Sequence, residues 1–406
     1  MKEKLQKLKV KISSFKLKDM LSFKNLPLRR DKAIDAASDK DINTSFPINN
    51  NARELHPPVQ LMVISRIIER ETAGARSLLL KKADGTGAAW FRAGQYVSVK
   101  LKIGESYVTR PYSISSSPRL TKDGKLYITV KENPGGFVSD YIMSKLKEGD
   151  KVLVSGPEGQ FYHDSLRDSK NVVAVAGGSG ITPFLSMAYA IRDGIEDFNL
   201  TILYGSRTED SILFKSELDS ILEETDNVRV IHVLSDERKE GFESGYITAD
   251  LIRKYAPDDY SLFICGPEAL YRFMEGVVRE LGLPARRVRR EIIGVSGKMV
   301  SSKDDRPETF HDLTVIQGPE TFHIKASSRE TLLVAIERAG IMAPAKCRSG
   351  ECGWCRSKLI SGDVIIPEPN DRRRRMDKTT GHIHPCVTFP AGDIVLEVPR
   401  GDMPDD

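Results

Sequence analysis

Three cysteines close together and a fourth at a distance constrain this chain more than anything else in it. Cys347, Cys352 and Cys355 lie in C-R-S-G-E-C-G-W-C, and Cys386 follows in H-P-C-V-T. The spacing C-x4-C-x2-C with a remote fourth thiol is that of a 2Fe–2S site. Two irons sharing two bridging sulfides need two thiolates each. One tight loop can deliver three, so the fold must bring the fourth from elsewhere. Gly350 and Gly353 let backbone amides turn toward the sulfurs, where N–H donors tune the potential. Zinc sites favour two short C-x2-C pairs, and only one such pair is present. A disulfide framework suits a small secreted domain rather than 406 residues without an export signal. The fifth cysteine, Cys265, stands in another motif and is left without a partner.

The length is enough for about three domains. Charged residues make up 29% and hydrophobic residues 40%, which suits a globular protein. No run of about 18 apolar residues predicts a transmembrane helix, and the N-terminus lacks an apolar signal core. These features predict a cytoplasmic protein. The formal net charge of +4 is unevenly spread: residues 1–32 hold eleven Lys/Arg and three acids, a net +8. A basic head on a mildly acidic body reads as an interaction tail, not as a nucleic-acid-binding domain.

Residues 1–55 read as this extension and its linker, with Leu5, Leu8, Ile12 and Phe15 near one helical face. The alternatives are a solvated tail and a segment that docks on a partner or a membrane surface. Residues 56–164 show short strands at Val59–Ile67, Ser77–Lys81, Tyr96–Lys102, Pro111–Ser115, Lys125–Lys131 and Lys151–Ser155, which predicts a small antiparallel barrel. Over 165–292 strands alternate with helices. Strands are expected at Val172–Ala176, Leu200–Tyr204, Val228–Val233 and Leu262–Cys265, and helices at Phe184–Arg192, Phe214–Glu223 and Ala269–Leu281. That alternation means a parallel sheet covered on both faces. Residues 293–307 read as a linker. Residues 308–406 hold strands, a helix over Arg329–Ala339 and the cysteine loop.

Two further motifs carry chemistry. Arg110-Pro111-Tyr112-Ser113-Ile114-Ser115-Ser116 offers a bidentate phosphate partner, a flat aromatic face and hydroxyl donors. Asn133-Pro134-Gly135-Gly136-Phe137-Val138-Ser139 puts two glycines before a helix start, where amides can reach a pyrophosphate. With Ala93-Gly94-Gln95-Tyr96, these segments resemble the ferredoxin–NADP reductase superfamily, and Pro344–Cys355 resembles a plant-type ferredoxin loop. The resemblance covers residues 56–406. It implies a multidomain α/β and β protein: an antiparallel FAD-binding β-barrel, a parallel α/β nicotinamide-binding domain and a C-terminal β-grasp ferredoxin domain. Arg110, Pro111, Tyr112 and Ser113 would hold the flavin, with Ser113 at N5. Gly135, Gly136, Phe137, Val138 and Ser139 favour FAD over FMN.

Gly177, Gly178, Gly180, Ile181, Thr182 and Pro183 match the superfamily's G-G-x-G-I-T-P loop, where a nicotinamide dinucleotide crosses the sheet. Cys265, Gly266 and Pro267 match its C-G-P, beside the nicotinamide and the flavin edge. Alone, Cys265 would read as a small buried hydrophobe. Ser235 and Asp236 stand where relatives that use NADPH place Ser-Arg, and a carboxylate there repels a 2′-phosphate and accepts from a free ribose. Arg207 argues the other way. The expected donor is therefore NADH (or NADPH), with electrons passing through FAD and a 2Fe–2S cluster on Cys347, Cys352, Cys355 and Cys386 to an electron-accepting protein such as an oxygenase. Ser113 and Cys265 are the expected catalytic residues. A reductive activator of a corrinoid or radical system and a redox-sensing module are the alternatives. The run Arg372-Arg373-Arg374-Arg375 reads either as a docking patch for an acidic partner or as a solvated loop tip.

Overall fold

The structure, a computed structural model, describes residues 59–70, 74–133, 135–291 and 307–401, with Lys32 and Gly294. The basic extension, nearly all of the linker at 293–307, and Pro134 lie outside the described residues. All that follows concerns the unit Glu54–Asp406.

The first sheet contains β1 (Gln60–Arg70), β2 (Ala75–Lys82), β3 (Tyr96–Ile103), β4 (Ser106–Ser113), β5 (Lys125–Lys131) and β6 (Lys151–Glu158). Its order is β4-β3-β6-β1-β2-β5, and an antiparallel Ile114–Ile128 bridge closes it into a barrel. Alternation sends Met62 and Ile64 inward while Leu61 faces out. Leu78, Leu80, Val97, Val99, Ile128 and Val154 complete the interior, each burial stabilising by about 1.5–3 kcal/mol. α1 (Phe137–Ser144) buries Val138 and Ile142 in the same core. β4 starts at Ser106 rather than the expected Pro111, because a tight turn lets it pair with β3 from Ile103 onward.

The second sheet is parallel. In chain order come β7 (Asn171–Gly177), α2 (Thr182–Arg192), β8 (Asn199–Ser206), α3 (Lys215–Glu224), β9 (Val228–Leu234), β10 (Glu243–Ser244), α4 (Ala249–Tyr255), β11 (Ser261–Cys265), α5 (Glu268–Leu281) and β12 (Val288–Arg290). The strand order is β10-β9-β8-β7-β11-β12. Val172–Ala176 of β7 is buried throughout, as a strand covered on both faces must be. The chain runs from β7 to β8 on one side and returns to β11 on the other, so a crevice opens at the carboxyl end of β7. Sequence pattern missed α4 and β12. α4 is short and depends on Thr248, whose side chain caps Leu251 N–H. β12 carries two arginines. It is held by parallel pairing to β11 and by Arg289, 2.9 Å from the buried Asp168.

The third part comprises β13 (Phe310–Gln317), β14 (Glu320–Ser327), α6 (Leu332–Arg338), β15 (Ser357–Ser361), β16 (Val364–Ile365), α7 (Arg375–Thr379), β17 (His382–Ile383), β18 (Phe389–Pro390) and β19 (Ile394–Glu397). Its main sheet runs β14-β13-β19-β15-β17, with β13 and β19 parallel. α6 buries Leu332, Leu333, Ala335 and Ile336, which completes a β-grasp. The helix expected over Arg329–Ala339 begins at Leu332, because the Thr331 hydroxyl accepts from Val334 N–H. Among the described residues, no helix is long and apolar enough to cross a membrane.

Candidate functional site

The four cysteines converge as two pairs. Cys355 and Cys386 sulfurs lie 3.3 Å apart, and the Cys352 thiol hydrogen-bonds to Cys347, which lowers the pKa of the Cys347 thiol. Two pairs of thiols suit two irons. Backbone N–H groups of Ser349 and Cys352 point at Cys347 Sγ, and that of Trp354 at Cys352 Sγ, each at 3.4 Å. This is possible because Gly350 has φ of 75°. Cys352 is exposed and the other three are buried.

Arg110, Pro111, Tyr112 and Ser113 end β4, and Gly136 caps the N-terminus of α1. Ser139 Oγ donates to the carbonyls of Asn133 and Gly136, bracing the turn that carries Gly135, Phe137 and Val138. The Tyr112 phenol is driven well up, first by burial, and stays neutral. Arg110 is 3.3 Å from the Glu337 carboxylate on α6, and Arg348 meets the same carboxylate at 2.5 Å. Two guanidiniums share one buried carboxylate, which leaves a positive charge uncompensated. A phosphate fits that donor set.

At the crevice, Gly177 ends β7, Gly178, Gly180 and Ile181 form a tight turn, and Thr182 and Pro183 open α2. A Cβ on Gly180 would lie 2.2 Å from the Cys265 carbonyl oxygen, so only glycine lets the loop rest on the end of β11. Gly266 and Pro267 then lead into α5. At the rim, the amides of Ser235 and Asp236 donate to the carbonyls of Ser206 and Arg207, both at 3.0 Å. Asp236 and Arg207, read from different strands, are therefore neighbours, and both are exposed. Gly245 N–H donates to Leu234 O, which brings the exposed Tyr246 to this rim, paired with Phe273 at 5.8 Å.

Sequence reading missed Glu291. It follows β12, is 4% exposed, and one carboxylate oxygen receives both the Ser113 hydroxyl at 2.9 Å and the Cys265 thiol at 3.3 Å. Its other oxygen has no partner. Burial pushes its carboxyl up to about 7, and burial with the Glu291 charge drives the Cys265 thiol well up. Three residues on, Gly294 N–H donates to Cys347 O at 3.0 Å. Lys346 of the cysteine loop lies 2.5 Å from Glu158 at the end of β6, so the cluster loop borders the barrel mouth.

Three family models match in this order: oxidoreductase FAD-binding domain over residues 69–163, oxidoreductase NAD-binding domain over 174–276, and 2Fe-2S iron-sulfur cluster binding domain over 315–391. The chain is 29% identical over 325 residues to a glycine betaine monooxygenase reductase subunit of Pseudomonas aeruginosa (strain UCBPP-PA14), covering 76% of this chain and 87% of that one. It is 31% identical over 253 residues to NADH-cytochrome b5 reductase 1 of Candida glabrata, covering 60% of this chain and 84% of that one. The solved structure of phthalate dioxygenase reductase, described as modular for electron transfer from pyridine nucleotides to a 2Fe–2S centre, superposes with a TM-score of 0.61 at 25% identity. That match covers 84% of this chain and 98% of the other.

Proposed function

Because the chain belongs to the ferredoxin–NADP reductase superfamily, in the fused form with a C-terminal 2Fe–2S domain, we propose that it takes electrons from NADH and delivers them to an oxygenase component. When bound, FAD takes an electron pair as hydride and returns the electrons singly, which links a two-electron donor to a one-electron cluster. The protein's own work is positioning and proton handling.

The observation that carries this reading is the meeting of Ser113, Cys265 and Glu291 at one oxygen. Ser113 comes from the barrel, Cys265 from the nicotinamide sheet, and Glu291 bridges them. Ser113 holds the flavin N5 edge. Cys265 would face the nicotinamide ring, and Glu291, whose second oxygen has no partner, could accept a proton from the flavin N5 position. Arg110 would hold the flavin phosphate, and the amides about Gly135 and Gly136 would reach the pyrophosphate of FAD. The loop from Gly177 to Pro183 would carry the dinucleotide over the sheet, with Asp236 placed to accept from free ribose hydroxyls and Tyr246 to stack on the adenine. Cys347, Cys352, Cys355 and Cys386 ligate the cluster, with Cys352 toward the acceptor. Five cysteines without a disulfide among them, and a need for NADH, suit the cytoplasm.

Anaerobic titration with NADH tests this reading. Flavin and cluster absorption should both bleach, and reoxidation by a one-electron acceptor should restore both. Bleaching of flavin alone, with iron present, would refute it.

A further inference from the structure

Cys347 is flanked by two cations, and each is anchored toward the flavin barrel. On one side, Lys346 Nζ lies 2.5 Å from Glu158 at the end of β6 and 3.8 Å above the Trp354 ring of the cysteine loop. On the other, Arg348 is 7% exposed and adopts a left-handed φ of 55°. A non-glycine residue holds that conformation only where its surroundings demand it. Its guanidinium donates to Glu337 at 2.5 Å and reaches the β4 carbonyl of Thr109 at 3.5 Å. Glu337 is 4% exposed and also holds Arg110. One carboxylate of the cluster domain thus grips a guanidinium from the cysteine loop and another from the flavin motif.

We propose that Lys346, Arg348 and Glu337 are positioning residues for electron transfer from flavin to cluster. The two cations pin the Cys347 edge of the cluster against the barrel, and Glu337 ties that pin to Arg110. The physical reason lies in distance. Electron tunnelling falls steeply with separation, and a β-grasp domain joined through a linker needs fixed contacts to hold its separation constant. The sites chosen are next to the ligand itself, so little movement is possible between pin and cluster. The charge network also makes flavin binding and cluster docking mutually supportive, since the phosphate supplies the anion that two guanidiniums and one carboxylate lack. That last link rests on the reading of Arg110 as the phosphate residue.

The test uses the holoprotein in anaerobic stopped flow, with flavin reduction and cluster reduction followed separately. Lys346→Met should leave flavin reduction by NADH and iron content unchanged, yet slow flavin-to-cluster transfer by about tenfold beyond what its measured shift in cluster potential accounts for, the scale of a small misplacement. The charge swap Lys346→Glu with Glu158→Lys should restore it. Glu337→Gln should slow transfer as well, while flavin affinity, read by fluorescence on release, should hold or rise, because the carboxylate that competes with the phosphate for Arg110 is gone. Wild-type transfer rates in both Lys346→Met and Glu337→Gln, or no recovery in the charge swap, would overturn the proposal. If Arg110→Ala retains flavin with wild-type affinity, the phosphate reading fails, while the Lys346 rates still decide the pin.

Discussion

The Ser113 hydroxyl donates to the Glu291 carboxylate across 2.9 Å, although 178 residues separate them in the chain. The barrel's flavin motif and the end of the nicotinamide sheet are joined there by a buried acid that can change its protonation near neutrality.

The first prediction follows from that acid. Folded, Glu291 titrates near 7 instead of its ordinary 4.5, so between those values the folded state binds more protons than the unfolded state. Stability of the cofactor-free protein from this group is full below 4.5 and falls as pH rises through 7, by about 3 kcal/mol. Glu291→Gln should remove that slope in thermal unfolding between pH 5 and 8 on the scale of about one titrating group. Flavin-to-cluster transfer in the wild type should rise with pH through about 7, as the ionised acid becomes free to take the N5 proton. In the variant it should be flat and about a hundredfold slower.

Cluster ligation is tested at the remote thiol. Cys386→Ser should abolish iron binding and the thiolate-to-iron absorption while leaving flavin reduction by NADH intact. Zinc without iron in the wild type would contradict the two-pair geometry.

Coenzyme choice is tested at the exposed rim. NADH should be preferred in kcat/KM, and Asp236→Arg should shift preference toward NADPH by about tenfold or more, since it removes a repulsive carboxylate and adds a bidentate donor. A wild-type preference for NADPH would show that Arg207 dominates. Cys265→Ala should slow hydride transfer with little change in nicotinamide affinity.

The acceptor surface is tested with salt. Arg372 lies 3.6 Å from Glu351, and Arg373 is held by Asp371 at 2.9 Å, so Arg374 and Arg375 are the better docking candidates. Transfer to the native acceptor should weaken as salt rises, because exposed charges are screened beyond about 10 Å at 0.1 M. Neutralising Arg374 and Arg375 should remove most of that dependence, and deleting residues 1–45 should not. The reverse result would assign docking to the N-terminal extension.

The motifs were legible because each is a local spacing: three cysteines in one loop, a serine two residues after a proline, glycines at a strand end. Glu291 was not, since Arg290-Glu291-Ile292 has no pattern of its own and the carboxylate gains meaning only when β12 sets it beside β11. Glu337 was hidden differently. On an amphipathic helix it reads as the solvent face, and burial between two arginines is visible only once α6 meets β4. The Arg372–Arg375 run reads as uniform charge, but the fold divides it, because Asp371 and Glu351 neutralise one half. α4 escaped notice because seven residues with two buried positions give too little period to detect.

Gly180 leans on the backbone of Cys265 with no room for a side chain between them. Any attempt to retool this protein therefore meets a fixed floor and an adjustable rim. A residue with a Cβ at 180 must wedge this loop off the end of β11, and on the proposed reading of the loop that should cost every coenzyme alike. Arg207 and Asp236 are exposed, so a new side chain there need not displace the backbone. Directed evolution for a cheaper or orthogonal coenzyme should accumulate its changes at those outer positions and leave 180 monomorphic.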